Sequence, residues 1–291
     1  MIWWIVVVVA ALLVRWFYRQ SVREFRINQA DADHRTALQA LWKEGVPIVV
    51  RDLRRVPMWS RADVERRPCY GALSIFRDQG LVEWIATVGA VGAVQAVEIP
   101  CPWKEEQAAV IAEASGVGLW IEQQITPLFE GMEGWRFVRS FAWAGRVGCQ
   151  RTYAAWTCLL PSEGDIVVSL FPENMEPYLP RPWQGSDPTA WTVRDTPFVH
   201  EIKYVDVIVR AGSALFLPPH WFMAWKGREG VPMVFTVQYH SPVSWLAWTV
   251  STVSTVSAAS TVSVASVASV ASGADAREAR EAREPKGAKE R

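Results

Sequence analysis

The strongest constraint on this chain is a series of short apolar runs between residues 135 and 239, nearly all bounded by Gly or Pro. Trp135–Ala142, Tyr153–Leu160, Ile166–Phe171, Val205–Arg210, Ala214–Leu217 and Val231–Tyr239 are too brief for helices and rich in β-branched and aromatic residues, so they predict strands. Pro161–Asp165 and Arg210–Ser213 each place a Gly where a tight hairpin turn needs positive φ. Upstream, Leu38, Leu41 and Trp42 recur at helical spacing within His34–Glu44, and Gly45 stops the helix before a strand at Val46–Asp52. A further helix is predicted at Lys104–Glu113, after the Pro100-Cys-Pro102 break. Helices first and strands later predict a mainly β fold with N-terminal helices, a sandwich or barrel.

The apolar segment Ile2–Val14 predicts a helix of ~20 Å, or ~25 Å if counted through Tyr18, close to a hydrocarbon layer of ~30 Å. Arg15 is placed to snorkel, and Trp16, Phe17 and Tyr18 suit a membrane interface. No positive charge precedes the run, so an uncleaved anchor over residues 2–18 is preferred to a signal peptide or a buried core helix. Arg15, Arg19, Arg23 and Arg26 follow it, which predicts a single-pass protein with its folded domain, residues 25–245, on the cytoplasmic side. Four Cys without a C-x-x-C pair fit reduced thiols there.

Beyond that domain, residues 246–272 form a Ser/Val/Thr/Ala-rich segment with Ser at every third position from 251 to 272. A period of three builds no fixed apolar face on a helix, so a second membrane span there is weak. Residues 273–291 make a charged tail containing Ala-Arg-Glu repeats. Lys+Arg and Asp+Glu are both 30, which gives no field to attract a polyanion and argues against a nucleic-acid partner. Phosphate-binding Gly loops, nucleophile elbows and H-E-x-x-H are absent, so ordinary phosphoryl transfer and hydrolysis have no visible machinery.

Three segments resemble the JmjC-like branch of the cupin superfamily: Trp42–Arg51, Leu159–Pro172 and Val209–Met223, the last with Leu-Pro-Pro-His-Trp-Phe. The resemblance implies a double-stranded β-helix (jelly-roll) barrel, here preceded by a transmembrane helix. Active relatives hold Fe(II) with an H-x-D/E pair and a distal His, a facial triad that leaves positions open for 2-oxoglutarate and oxygen. Counting from Phe171-Pro172, that pair falls on Arg151 and Tyr153, and the distal His on Met223. None is a usual iron ligand, and no His lies between His34 and His200. No Lys lies between Lys104 and Lys203 to hold the cosubstrate, so only an Arg could do so.

Arg151 facing inward would need a partner such as Asp165 or Glu173, whereas facing outward it would be a surface residue. Membrane-anchored, metal-less versions of this fold in giant DNA viruses and some algae are similar in order, which implies a virion or host endomembrane as the location. The resulting expectation is a non-catalytic structural or binding module without a cofactor. Its partners are membrane lipid, through the N-terminal helix, and an unidentified protein or small ligand. The rivals are an Fe(II)/2-oxoglutarate hydroxylase using His200, His220 or His240, and a glycan- or lipid-binding module built on the seventeen Trp, among them Trp143, Trp156, Trp221 and Trp225.

Overall fold

A computed structural model describes residues 2–19, 25–53, 60, 105–129 and 137–249. The chain divides into two units, Met1–Trp245 and Leu246–Arg291. Most of the second, with nearly all of the Ser-rich segment and the charged tail, lies outside the described residues, as do Cys69, Cys101 and the Pro100–Pro102 break.

Among the described residues, ten strands form two sheets: β1 (Asn28–Asp31), β2 (Ile48–Arg51), β3 (Phe137–Ala144), β4 (Val147–Arg151), β5 (Trp156–Glu163), β6 (Ile166–Phe171), β7 (Val205–Val209), β8 (Ala214–Leu217), β9 (Phe222–Gly227) and β10 (Met233–His240). The six-stranded sheet runs β1-β2-β8-β5-β10-β3 and the four-stranded sheet β4-β9-β6-β7. Apart from the parallel β1/β2 pair, every ladder is antiparallel. Among the described residues these are two separate hydrogen-bonded sheets and not one closed barrel, which corrects the sequence expectation on that point.

Period-2 alternation gives the six-stranded sheet two apolar faces. One carries Ile48, Cys158, Leu160, Phe216 and Phe235 against Leu38 of α2 (Arg35–Glu44), Ile111 of α3 (Glu105–Ser115) and Ile121 of α4 (Val117–Gln124). The other carries Val49, Leu159, Leu215 and Val234 against Ile166, Val168, Leu170, Met223 and Trp225 of the small sheet. The far face of the small sheet, with Cys149, Phe171 and Phe222, is covered by Met175, Leu179, Trp183 and Trp191 from the long β6–β7 connection. The hairpin turns form around Gly164 and Gly212, at φ 73° and 86°.

The localisation drawn from the sequence is overturned. Among the described residues no helix is long and apolar enough to cross a membrane. The N-terminal helix α1 is Ile2–Arg19, but its uncharged run ends at Val14, and ~20 Å of apolar helix falls short of a ~30 Å core. The single-pass topology and the cytoplasmic placement built on it fall together. The side chains of Arg15, Trp16, Phe17 and Tyr18, assigned to a membrane interface, lie outside the described residues.

Candidate functional site

The positions expected to correspond to metal ligands lie where β4 ends and β9 begins. The ladder pairs Gln150 with Met223 and Arg151 with Phe222. Directly opposed residues share a face, so Gln150 goes with Met223 and Arg151 with Phe222. Met223 is 2% exposed between the sheets, beside Trp221 and Trp225. Phe222 belongs to the opposite face. Arg151 and Tyr153 therefore lie together, but Met223 does not join them: the register brings Gln150, not Arg151, to Met223.

A bulge between Val147 and Gln150 causes the one-residue shift. It is built on Gly148, where an added Cβ would stand 2.1 Å from the carbonyl oxygen of Gly185. The Cys149 N–H donates to the Ser186 carbonyl and the Gly185 N–H donates to the Cys149 carbonyl, both at 2.8 Å. The β6–β7 connection thus seals the outer edge of β4. Only a glycine admits so close a backbone approach.

Arg151 lies on the outer face yet is only 10% exposed. Its guanidinium donates to Glu176 Oε2 at 2.8 Å and Glu173 Oε1 at 2.9 Å, and rests 5.3 Å from the Phe222 ring and 5.7 Å from the Tyr153 ring. Glu173 is thus a partner, but of an outward-facing Arg151, whereas the sequence tied that pair to an inward-facing one. Asp165 is not a partner; its carboxylate accepts from the Ala211 N–H in the β7–β8 turn. Both glutamates sit on the short 3-10 turn Glu173–Tyr178, so Arg151 fastens the covering segment to the sheet.

Thr152 is 2% exposed and holds the turn that leads into β9. Its hydroxyl accepts the Trp221 N–H at 3.0 Å and lies 2.9 Å from the Pro218 carbonyl. Its own carbonyl accepts the His220 N–H at 2.7 Å. The tight turn puts His220 at φ 72°, a conformation seldom adopted by non-Gly residues. Across the interior, β5 and β10 contribute Thr157 and Thr236, 0% and 3% exposed, whose hydroxyls meet no partner. Gln238 pairs in register with Arg139 and Thr157 on the same wall.

His240 ends β10 against Trp245, and burial followed by the nearby Arg139 charge lowers its imidazole to about 4. His220 is fully buried, and His200 sits exposed on another 3-10 turn. Among the described residues no group of three His, Cys, Asp or Glu is placed to hold a metal.

The donor chemistry at the β4/β9 junction is the primary amide of Gln150, the Thr152 hydroxyl engaged with backbone, and the Met223 thioether. Such a set carries neither the imidazoles nor the carboxylate that hold ferrous iron in a facial triad, so the residues do not fit that metal. Nor do several indoles offer stacking platforms. Trp221 and Trp225 are 1% and 2% exposed, and Trp156 is stacked on Trp42 at 3.7 Å.

On the outer face of the small sheet, Arg146 pairs with Asp187 and Ser169 donates to Asp206 at 2.6 Å, around a cavity of about 40 Å³. Burial opposes ionisation of Asp187, but hydrogen bonds from the Thr189 N–H and hydroxyl, with Arg146, leave its carboxyl below the usual range. That volume suits little more than a water or two.

No family model matches the chain, and no curated protein matches it. Solved structures similar to parts of it include procruciferin, an 11S globulin from Brassica napus, at 14% identity over 35% of this chain and 20% of that one, TM-score 0.23. Hydroxypropylphosphonic acid epoxidase from S. wedmorenis aligns at 10% identity over 35% of this chain and 42% of its own, TM-score 0.23. YcfD, a ribosomal oxygenase from Escherichia coli, aligns at 12% identity over 36% and 23%, TM-score 0.24. The matched part spans less than half the length of each of these proteins.

Proposed function

We propose that this chain is a double-stranded β-helix domain of the cupin/JmjC-like kind that serves as a binding module and not as an iron oxygenase. The strand order supports the fold reading. From β3 onward, eight strands divide between two facing sheets as β3-β10-β5-β8 and β4-β9-β6-β7, the winding of a jelly roll, with β1 and β2 extending one edge. One observation carries the functional reading: the β4/β9 junction, where an oxygenase would gather two imidazoles and a carboxylate, holds Gln150, Thr152 and Met223, with Trp221 and Trp225 packed in the same cluster as Met223.

The test is anaerobic titration of the purified full chain with Fe(II), followed by an assay for succinate release from 2-oxoglutarate. Neither stoichiometric binding nor turnover is expected. Stoichiometric iron supporting turnover that His220→Ala or His240→Ala abolishes would overturn the proposal. A second arm probes the register. The pair Gln150→His with Met223→His, on one face, should take up Co(II) with its visible absorption, whereas Arg151→His with Met223→His should not. The opposite pattern would count against the geometry on which the reading rests.

A further inference from the structure

Among the described residues β3 is the last strand of the six-stranded sheet, paired with β10 on one side only. Its other edge borders a groove of about 620 Å³, lined by Val138 and Phe141 of the strand and by Glu113, Gly116, Leu119 and Glu122 of the helical layer. The backbone groups of Val138 and Ser140, which alternate with the residues bonded to β10, face that edge and have no partner among the described residues. This contrasts with β4, the end strand of the other sheet, whose edge Gly185 and Ser186 close. An open row of amides and carbonyls is a template for another extended chain.

The groove also has a sign. Arg139 is held by Glu105 at 2.8 Å, while Glu113 and Glu122 have no cationic partner among the described residues. Leu119 is 62% exposed there, and Gly116, at φ 73°, has open space where a side chain would stand. The four lining residues of β3 span ~14 Å of extended chain, enough for four or five residues of a paired segment.

We propose that the β3 edge is a docking site for an extended peptide segment of another protein, which pairs with β3 as an added strand. In it every second residue is basic and faces Glu113 and Glu122, and the residues between are apolar and run beside Phe141. This inference is independent of whether the jelly-roll interior takes a metal.

The probe is a fluorescein-labelled Lys-Val-Lys-Val-Lys-Val hexapeptide, titrated by anisotropy into the full chain at low salt. Three companions accompany it: the Glu-Val counterpart, a Lys-Val peptide with N-methylated valines, and the Glu113→Lys/Glu122→Lys double variant at two exposed helix positions. Expected results are saturable binding that weakens with salt, at least tenfold weaker binding to the double variant, loss of binding on N-methylation, and slowed amide exchange at Val138 and Ser140.

Absence of binding by the Lys-Val peptide would overturn the proposal, as would equal binding of the Glu-Val peptide or indifference to N-methylation. The N-methyl arm uses the unaltered protein, so it decides even if the double variant folds poorly. Self-association through β3 that the Lys-Val peptide does not compete would make a second copy the occupant and overturn it too.

Discussion

Arg151 shows how one side chain takes a structural task at a position that a sequence count assigns to chemistry. A cation 10% exposed, with two carboxylates at 2.8 and 2.9 Å and two aromatic rings beside it, is costly to neutralise because the acids lose their counter-charge together. Glu173 and Glu176 remain 30% and 41% exposed, which limits the cost. Arg151→Met is expected to destabilise the fold by about 1–3 kcal/mol, and Arg151→Lys by less, since it keeps the charge but loses the planar fork. Urea midpoints for the three proteins check the order.

His240 supplies a pH dependence of known sign. Burial, reinforced by Arg139, keeps its folded imidazole neutral down to about pH 4, whereas the unfolded group titrates near 6.5. Between those values the unfolded chain binds a proton that the folded chain refuses. Its contribution is therefore fully present above pH 6.5 and is lost as pH falls toward 4, by at most ~3 kcal/mol. His240→Gln should flatten that part of the stability profile, measured as urea midpoints at pH 7.5 and 4.5. An unchanged slope would count against the assignment.

At the scale of elements, legibility followed local chemistry. Ile166–Phe171 and Ala214–Leu217 could be read to the residue because apolar runs end at Gly turns, and α2 begins one residue inside the expected His34. β4, Val-Gly-Cys-Gln-Arg, carries no legible strand signal: it has a Gly and polar residues, and its extended form comes from Gly185, Ser186 and β9, not from its own propensity. β1, Asn-Gln-Ala-Asp, exists through its parallel pairing with β2, and α4 restarts right after the left-handed Gly116, so neither carries a period to detect. β9 is legible only as the end of the Pro-Pro-His-Trp segment, though it lies within the small sheet between β4 and β6. The candidate site inherited the β4 problem. A count from Phe171-Pro172 falls on Arg151, the last residue of β4, and on Tyr153 just beyond it, but the Gly148 bulge reverses which side chains point inward, and only the contact with Gly185 reveals it.

The whole folded unit is layered, helices on the six-stranded sheet and the β6–β7 connection on the small one, and its two described thiols sample different layers. Cys158 is fully buried between the large sheet and the helices, and Cys149 is fully buried beneath the segment that Arg151 fastens. Burial pushes the Cys149 thiol up to about 12 and Cys158 higher still, so neither is thiolate at neutral pH. Their reactivity then reports opening of the layers and not intrinsic nucleophilicity. The helical face of the large sheet is built from four chain regions, 35–44, 48–50, 105–129 and the late strands, so it opens only when the unit unfolds. The outer cover of the small sheet comes from one connection, residues 172–204, held by the Arg151 pairs, the Cys149 backbone bonds and the Arg146–Asp187 pair. Site-resolved iodoacetamide labelling in sub-denaturing urea should therefore modify Cys149 before Cys158, with Cys158 tracking the global transition. Arg151→Met should speed labelling of Cys149 several-fold more than that of Cys158 at the same urea concentration. Equal acceleration would mean that the cover and the core open as one, and that Arg151 stabilises the unit as a whole.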